Sequence, residues 1–291
     1  MDKATEINNT GVKHFLNRQF GEAEKCYREA LDLNPENVTA LNNMGLLFHQ
    51  KKQYEKAIEY FEKAISIHPN DTYYVNAGNA AACLNRANEA EAWYFKALEI
   101  NENSENAGES LAKLYEFNNR LSDAAAIWRK LVQTSGKEKF KIEYAKNLVK
   151  QKKYGAALDL LYNRAAKENG TVWHLIGMCE YQMKNYGLAE KALKKGLSID
   201  PDDEQIRHYL AVTLFAKRQV QEGMRQFDKI LKLNPDNYQI LTEKGVILLS
   251  RDKTEEALEL FEKSLRINPE YEKAIKYKKM ALEKIKKAEK S

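Results

Sequence analysis

The sequence predicts an all-α solenoid of about eight helix pairs closed by one further helix, and three observations carry that expectation. Prolines recur at a fixed period. Small residues recur in register with them. Helix formers dominate the 291 residues, with only 5 prolines and 13 glycines to interrupt them. That length would suffice for two compact domains or one extended repeat array, and the periodicity favours the array.

Pro35, Pro69, Pro201, Pro235 and Pro269 each close a stretch of the form x-Leu/Ile-x-Leu/Ile-x-Pro, begun by Ala30 and Ala64 in the first two and by Gly196, Ile230 and Ser264 in the others, at spacings of 34, 132, 34 and 34. The long gap is four units of about 33, and Ala97-Leu98-Glu99-Ile100-Asn101-Glu102 continues the motif inside it without the proline. Placing proline at position 32 of a 34-residue unit gives eight repeats starting at 4, 38, 71, 105, 138, 170, 204 and 238.

Within each unit a first helix is expected from apolar residues at positions 4, 7, 8 and 11, and a second from those at 20, 24, 27 and 28. Position 8 reads Gly11, Gly45, Gly78, Ala112, Ala145, Gly177, Ala211 and Gly245; position 20 reads Ala23, Ala57, Ala90, Ala124, Ala157, Ala189, Gly223 and Ala257. Such small side chains let two helix backbones approach. The large residue at position 24, as in Tyr27, Phe61, Tyr94, Trp128, Phe227 and Phe261, can then pack over the crossing. Proline ends the second helix because it lacks an N–H and disfavours helix at the preceding residue. Asp202, Asp203, Asp236 and Asn237 follow a proline and are suited to cap the next helix.

These residues carry a resemblance to the tetratricopeptide-repeat family over residues 4–271. Repeat 2 matches the family pattern best, with Leu41, Met44, Gly45, Phe48, Tyr54, Ala57, Phe61, Ala64 and Pro69, and repeat 6 keeps the tryptophan as Trp173. Repeat 5 departs from it, with Lys141 at position 4, Arg164 at position 27 and no closing proline. The resemblance implies a right-handed superhelical solenoid whose first helices line a concave groove through positions 2, 5, 6, 9, 12 and 13.

Those groove positions divide the chain. Repeats 1 to 3 present Asn8, Asn9, Asn42, Asn43, Asn76 and Asn79, with Thr39 and Thr72. An amide carries both donors and acceptors, so a ladder of them can pair with the backbone of an extended peptide or bond within the fold. Repeats 6 and 7 present His174, Met178, Tyr181, His208, Tyr209 and Phe215, an apolar and aromatic set suited to anchoring a partner's side chains, with Tyr181 alternatively a core residue. Repeats 4 and 5 bring a charged mixture that reads as solvated, Glu109, Lys113, Glu116, Lys139, Glu143, Lys146 and Lys150. A carboxylate clamp, by resemblance, needs lysine at position 5 and asparagine at position 9; Asn8 with Val12 and Asn42 with Leu46 do not supply it.

The net charge of +5 resides in residues 272–291, where eight lysines face three glutamates. That segment is expected to cap the array, docking through Ala274, Ile275, Tyr277, Met280, Ala281, Leu282 and Ile285 while the lysines solvate the far side. Nucleic-acid binding through it ranks last among the functional readings. No apolar run is long enough to cross a bilayer or to act as a secretory signal. Cys26, Cys83 and Cys179 are an odd, dispersed set, which points to reduced thiols and the cytoplasm. The five histidines are scattered, and no metal-ligand spacing, nucleophile motif or phosphate-cradling loop occurs. The expected function is therefore binding, without catalysis or cofactor: a scaffold for another protein or peptide. A self-assembling oligomer, stacking through the ends of the array or through Trp93 and Phe95 on the second helix of repeat 3, is the alternative.

Overall fold

The computed structural model describes residues 2–162 and 169–288, and every regular element among them is a helix. Two compact units follow one another, Met1–Lys152 and Lys153–Ser291. The first holds α1 (Lys3–Leu16), α2 (Phe20–Leu33), α3 (Val38–Gln50), α4 (Tyr54–Ile67), α5 (Asp71–Cys83), α6 (Ala87–Ile100), α7 (Glu105–Phe117), α8 (Leu121–Ser135) and α9 (Glu138–Lys150). The second holds α10 (Tyr154–Tyr162), α11 (Gly170–Gln182), α12 (Tyr186–Ile199), α13 (Glu204–Ala216), α14 (Val220–Leu233), α15 (Tyr238–Leu249), α16 (Thr254–Ile267) and α17 (Glu272–Ala288). The division falls in the turn between α9 and α10, inside the repeat that departs most from the pattern. Arg164 lies outside the described residues.

Each hairpin has the same local logic. The first helix ends in a left-handed residue at position 15, and all eight are non-glycine: Arg18, Lys52, Asn85, Asn119, Lys152, Lys184, Arg218 and Asp252. The following N–H reaches back five residues, as from Gln53 to the Phe48 carbonyl at 2.9 Å and from Gln219 to the Leu214 carbonyl at 2.9 Å. This closes orphan carbonyls at the helix end and reverses the chain. After the second helix, side chains of Asn37, Ser104, Asn169, Asp203 and Asn237 cap the next first helix by accepting from the third backbone N–H. Asp203 and Asn237 act as the sequence suggests; the preceding Asp202 and Asp236 are exposed.

Packing follows from the small residues. A Cβ placed on Gly45 would lie 2.3 Å from the Phe61 ring, so this crossing of α3 and α4 requires glycine. The hairpin of α13 and α14 solves the same problem in reverse. Ala211 stands on the first helix and Gly223 on the second, where a Cβ would lie 2.4 Å from the Phe215 ring. The buried aromatics at position 24, among them Tyr27, Phe61, Tyr94, Trp128, Phe227 and Phe261, form the spine of each unit's core. Each second helix then packs on the following first helix, as α2 on α3, α4 on α5 and α12 on α13. First helices also touch their successors, α1 to α3 to α5 to α7 in one unit and α11 to α13 in the other. That contact gives a continuous first-helix face from α1 to α7 in the first unit and from α11 to α13 in the second.

α17 closes the second unit against α16 and α15. Ala274 and Ala281 are buried and Tyr277 and Ile285 half-buried, but Ile275, Met280 and Leu282 are exposed. The expected docking stripe is thus narrower than its apolar content: spacings of three and four select 274, 277, 281 and 285, and 275 and 282 lie roughly 100° round the helix. Lysines also hold the cap. Lys273 pairs with Glu243 at 3.3 Å, Lys278 with Glu262 at 3.0 Å and Lys284 with Asp252 at 2.5 Å.

Candidate functional site

In the first unit the asparagines of the first-helix face bond across repeats. The Asn43 side-chain amide donates to the Asn8 carbonyl oxygen at 2.9 Å, and Asn76 donates to Asn42 at 2.9 Å. Position 6 of one repeat therefore meets position 5 of the repeat before it. Asn8 is buried by this arrangement, and Asn42, Asn43 and Asn76 are half-buried. Asn79 accepts from the Tyr94 hydroxyl at 2.8 Å, and Asn9, Thr39 and Thr72 are exposed. An amide has two donor hydrogens and two acceptor lone pairs, so one internal bond leaves capacity for a guest. The ladder serves the fold first, and what remains of it faces outward.

Two adjoining hollows open on that face between α5 and α7. One, about 280 Å³, is lined by Thr72, Val75, Asn76, Asn79, Asn106, Glu109, Ser110 and Lys113. Its neighbour, about 390 Å³, is lined by Asn79, Ala82, Cys83, Tyr94, Ser110, Lys113, Leu114 and Phe117. The first is mainly polar and the second mainly apolar, and Asn79, Ser110 and Lys113 form the wall between them. Phe117 stands at the rim, 81% exposed. Asn106, Ser110 and Phe117 hold positions 2, 6 and 13 of their repeat, so reading the groove positions through repeat 4 would have found them.

Glu116, expected as part of a solvated mixture, is a half-buried hub. Its carboxylate accepts from Trp128 Nε1 at 2.9 Å and from the Asn147 amide at 2.9 Å, and Lys150 pairs with it at 2.5 Å. Burial raises its pKa, but the bonds from Lys150, Asn147 and Trp128 outweigh that and hold it below the usual carboxylate value. A carboxylate three to four residues from lysines on one helix looks solvated in sequence. Its partners here come from α8 and α9.

In the second unit the same register brings rings together. His174 and Tyr209 have centroids 5.2 Å apart, Tyr181 lies 6.3 Å from Tyr209 and 5.7 Å from Tyr186, and His208 lies 6.0 Å from Tyr209. Tyr209 is the centre of this group. All five residues named with Met178 in the sequence reading, together with Met178 itself, are half-buried. Burial pushes His174 below the ordinary imidazole pKa, and its Nε2 has no partner among the described residues. His208 stacks on Phe227 at 6.1 Å, and its Nε2 lies 2.7 Å from Glu243. Phe215 turns into the hairpin crossing, over Gly223 and 5.2 Å from Phe227. A further hollow of about 400 Å³ lies between α13 and α15.

No helix among the described residues is long and apolar enough to cross a membrane, and no group of three metal-ligating side chains occurs among them. Hairpins laid side by side, each offering one face of its first helix, define a helical-repeat scaffold. The chain belongs to the tetratricopeptide-repeat family: family models described as tetratricopeptide repeat or TPR repeat match residues 17–52, 38–71, 72–104, 180–245 and 238–271. The fold resembles a chain of the APC/C hetero-tetramer Cut9-Hcn1, with a TM-score of 0.59 and 14% identity, covering 90% of this chain and 52% of that one. It also resembles yeast Tom70, with a TM-score of 0.58 and 16% identity, covering 99% of this chain and 65% of that one. This chain therefore spans about half to two thirds of the length of those structures. No curated protein sequence matches it.

Proposed function

We propose that this chain is a non-catalytic scaffold whose first-helix faces hold a segment of another protein. The observation that carries this is the pair of adjoining hollows between α5 and α7, one rich in amides and hydroxyls and one apolar. An extended peptide presents the same two chemistries side by side, backbone N–H and C=O groups and an apolar side chain. The amides of Asn76, Asn79 and Asn106 are suited to the backbone, and the pocket bordered by Leu114 and Phe117 to the side chain. In the second unit, His174, Met178, Tyr181 and Tyr209 offer an anchor for apolar or aromatic groups. The three cysteines are free, which favours the cytoplasm as the site of action.

The test uses peptides selected against the intact chain from a random displayed library, with affinities measured by fluorescence anisotropy. Asn106 and Phe117 are both exposed, so N106A/F117A should fold normally. The expected result is a loss of at least tenfold for peptides that occupy the first unit, with alkylation of the exposed Cys83 weakening the same peptides. Peptides that bind N106A/F117A as they bind the wild type would remove this face from the proposal.

Self-association is supported by a different observation. Phe95 is 45% exposed and Ile100 52% exposed on the second helix of the same repeat. Light scattering that shows a monomer at high concentration, for wild type and F95E alike, would end that reading. Nucleic-acid binding is weakened because Lys273, Lys278 and Lys284 are engaged with carboxylates of the fold.

A further inference from the structure

The hollow between α13 and α15 has a chemistry of its own. Glu204, at the start of α13, and Glu243, in the middle of α15, both line it, with the rings of Tyr209 and Tyr271 and the amides of Gln205, Gln239 and Asn237. No lysine or arginine is among its lining residues. Glu204 accepts from the Asn237 amide at 3.2 Å. Glu243 is held between His208 at 2.7 Å and Lys273 at 3.3 Å. Its carboxyl feels burial, which raises its pKa, but its bonds to His208 and Lys273 outweigh this and keep it ionised more readily than usual. Among the described residues Lys273 is the only lysine or arginine paired with either carboxylate, and it reaches in from the rim with 43% of its side chain exposed. Tyr271 is braced edge-on against Tyr238, with centroids 4.9 Å apart.

From this we infer that the hollow is a subsite for an arginine side chain of a partner. Two carboxylates on facing helices supply the charge complement. A planar guanidinium can present its fork to a carboxylate while lying against a tyrosine face, which a lysine ammonium does less well. A volume of about 400 Å³ falls in the ordinary range for a ligand pocket and leaves room for the guest's stem. Lys273 occupies the place of the guest's charge at the rim and is displaced when it enters. The preference is opposite to that of a basic, carboxylate-binding groove. It is independent of the asparagine face of the first unit, so a failure of either reading leaves the other standing.

The probe is a fluorescein-labelled nona-arginine peptide, titrated with the intact chain at 150 mM salt and followed by anisotropy. E204Q/E243Q should weaken binding at least fivefold, whereas E59Q/E99Q, which removes the same charge from exposed sites of the first unit, should change it less than twofold. K273A should tighten binding at least twofold relative to K276A, a neighbouring lysine on the same helix, because a competing cation is gone. Y271L should weaken nona-arginine binding more than nona-lysine binding. Circular dichroism confirms that each variant is folded. If E204Q/E243Q does not fold, the comparison of K273A with K276A decides. Equal losses in the two carboxylate pairs, equal affinities of K273A and K276A, or nona-lysine bound as tightly as nona-arginine would overturn the assignment.

Discussion

Position 12 of the first helix and position 24 of the second meet in both units, and the two units make opposite use of the meeting. In the first, Glu116 accepts from the indole of the fully buried Trp128. In the second, Phe215 packs on Phe227 and fills the space that Gly223 leaves. The same holds at positions 5 and 6, where Asn8 meets Asn43 and Asn42 meets Asn76, but His174 meets Tyr209 and His208 meets Glu243. Backbone register decides which positions touch, and the side chains there decide whether a unit's face is amide-rich or aromatic. One architecture can thus carry different binding chemistries in successive repeats.

The contrast is testable by breaking each side of it. Phe215→Ala should cost about 3 kcal/mol, since it removes a ring from a packed crossing and leaves Gly223 facing a void. Glu116→Ala should cost a comparable amount, about 2–3 kcal/mol, because Trp128 Nε1 and the buried Asn147 amide both lose their acceptor. Urea titrations followed by tryptophan fluorescence, with W173F to isolate the first unit, separate the two, since Trp93 and Trp128 report the first unit and Trp173 the second. Their pH dependence should differ. The Glu116 pKa in the folded chain lies below its unfolded value, so its contribution is complete above about pH 4.5 and drains away as pH falls through the folded value. The gap between wild type and E116Q should therefore close in acid, while the F215A deficit should not depend on Glu116 ionisation.

Glycine sharpens the comparison. Gly45→Ala forces a Cβ into the Phe61 ring and should cost about 1–3 kcal/mol. Gly223→Ala should do the same against Phe215, although it lies on the opposite helix of its hairpin. A thermal melt in which G45A is harmful and G223A is neutral would show that the two hairpins are not mirror solutions. A smaller effect of opposite sign is expected at the turns. Lys52 and Lys152 are left-handed without being glycine, so glycine at either should stabilise by about 1 kcal/mol or less, measured by the same melt.

Most of the fold could be read from the sequence because it rests on periodic, local signals. Pro69, Gly45 and Phe61 announce a helix end and a close crossing without any knowledge of neighbours. The left-handed turn was hidden because no glycine marks it: lysine or arginine holds the place in five repeats and Asn85, Asn119 and Asp252 in the other three. The faces were legible only by position. Asn43 and Asn76 lie on the first-helix face, but sequence alone does not tell an amide that faces outward from one that bonds to the repeat before it. The separations of 34 and 35 residues between partners were the available clue. Glu116 was missed because its partners lie 12 and 31 residues away on other helices. Phe117 and Asn106 were missed because their repeat looked merely charged.

The most direct test is a double-mutant cycle on Asn42 and Asn76, with His208 and Glu243 as the matching pair in the second unit. If position 5 of one repeat and position 6 of the next are a fixed point of contact, each cycle should return a coupling of about 0.5–1.5 kcal/mol in the unfolding free energy. Couplings indistinguishable from zero in both pairs, with each single variant destabilised on its own, would contradict the shared register from which both faces are built.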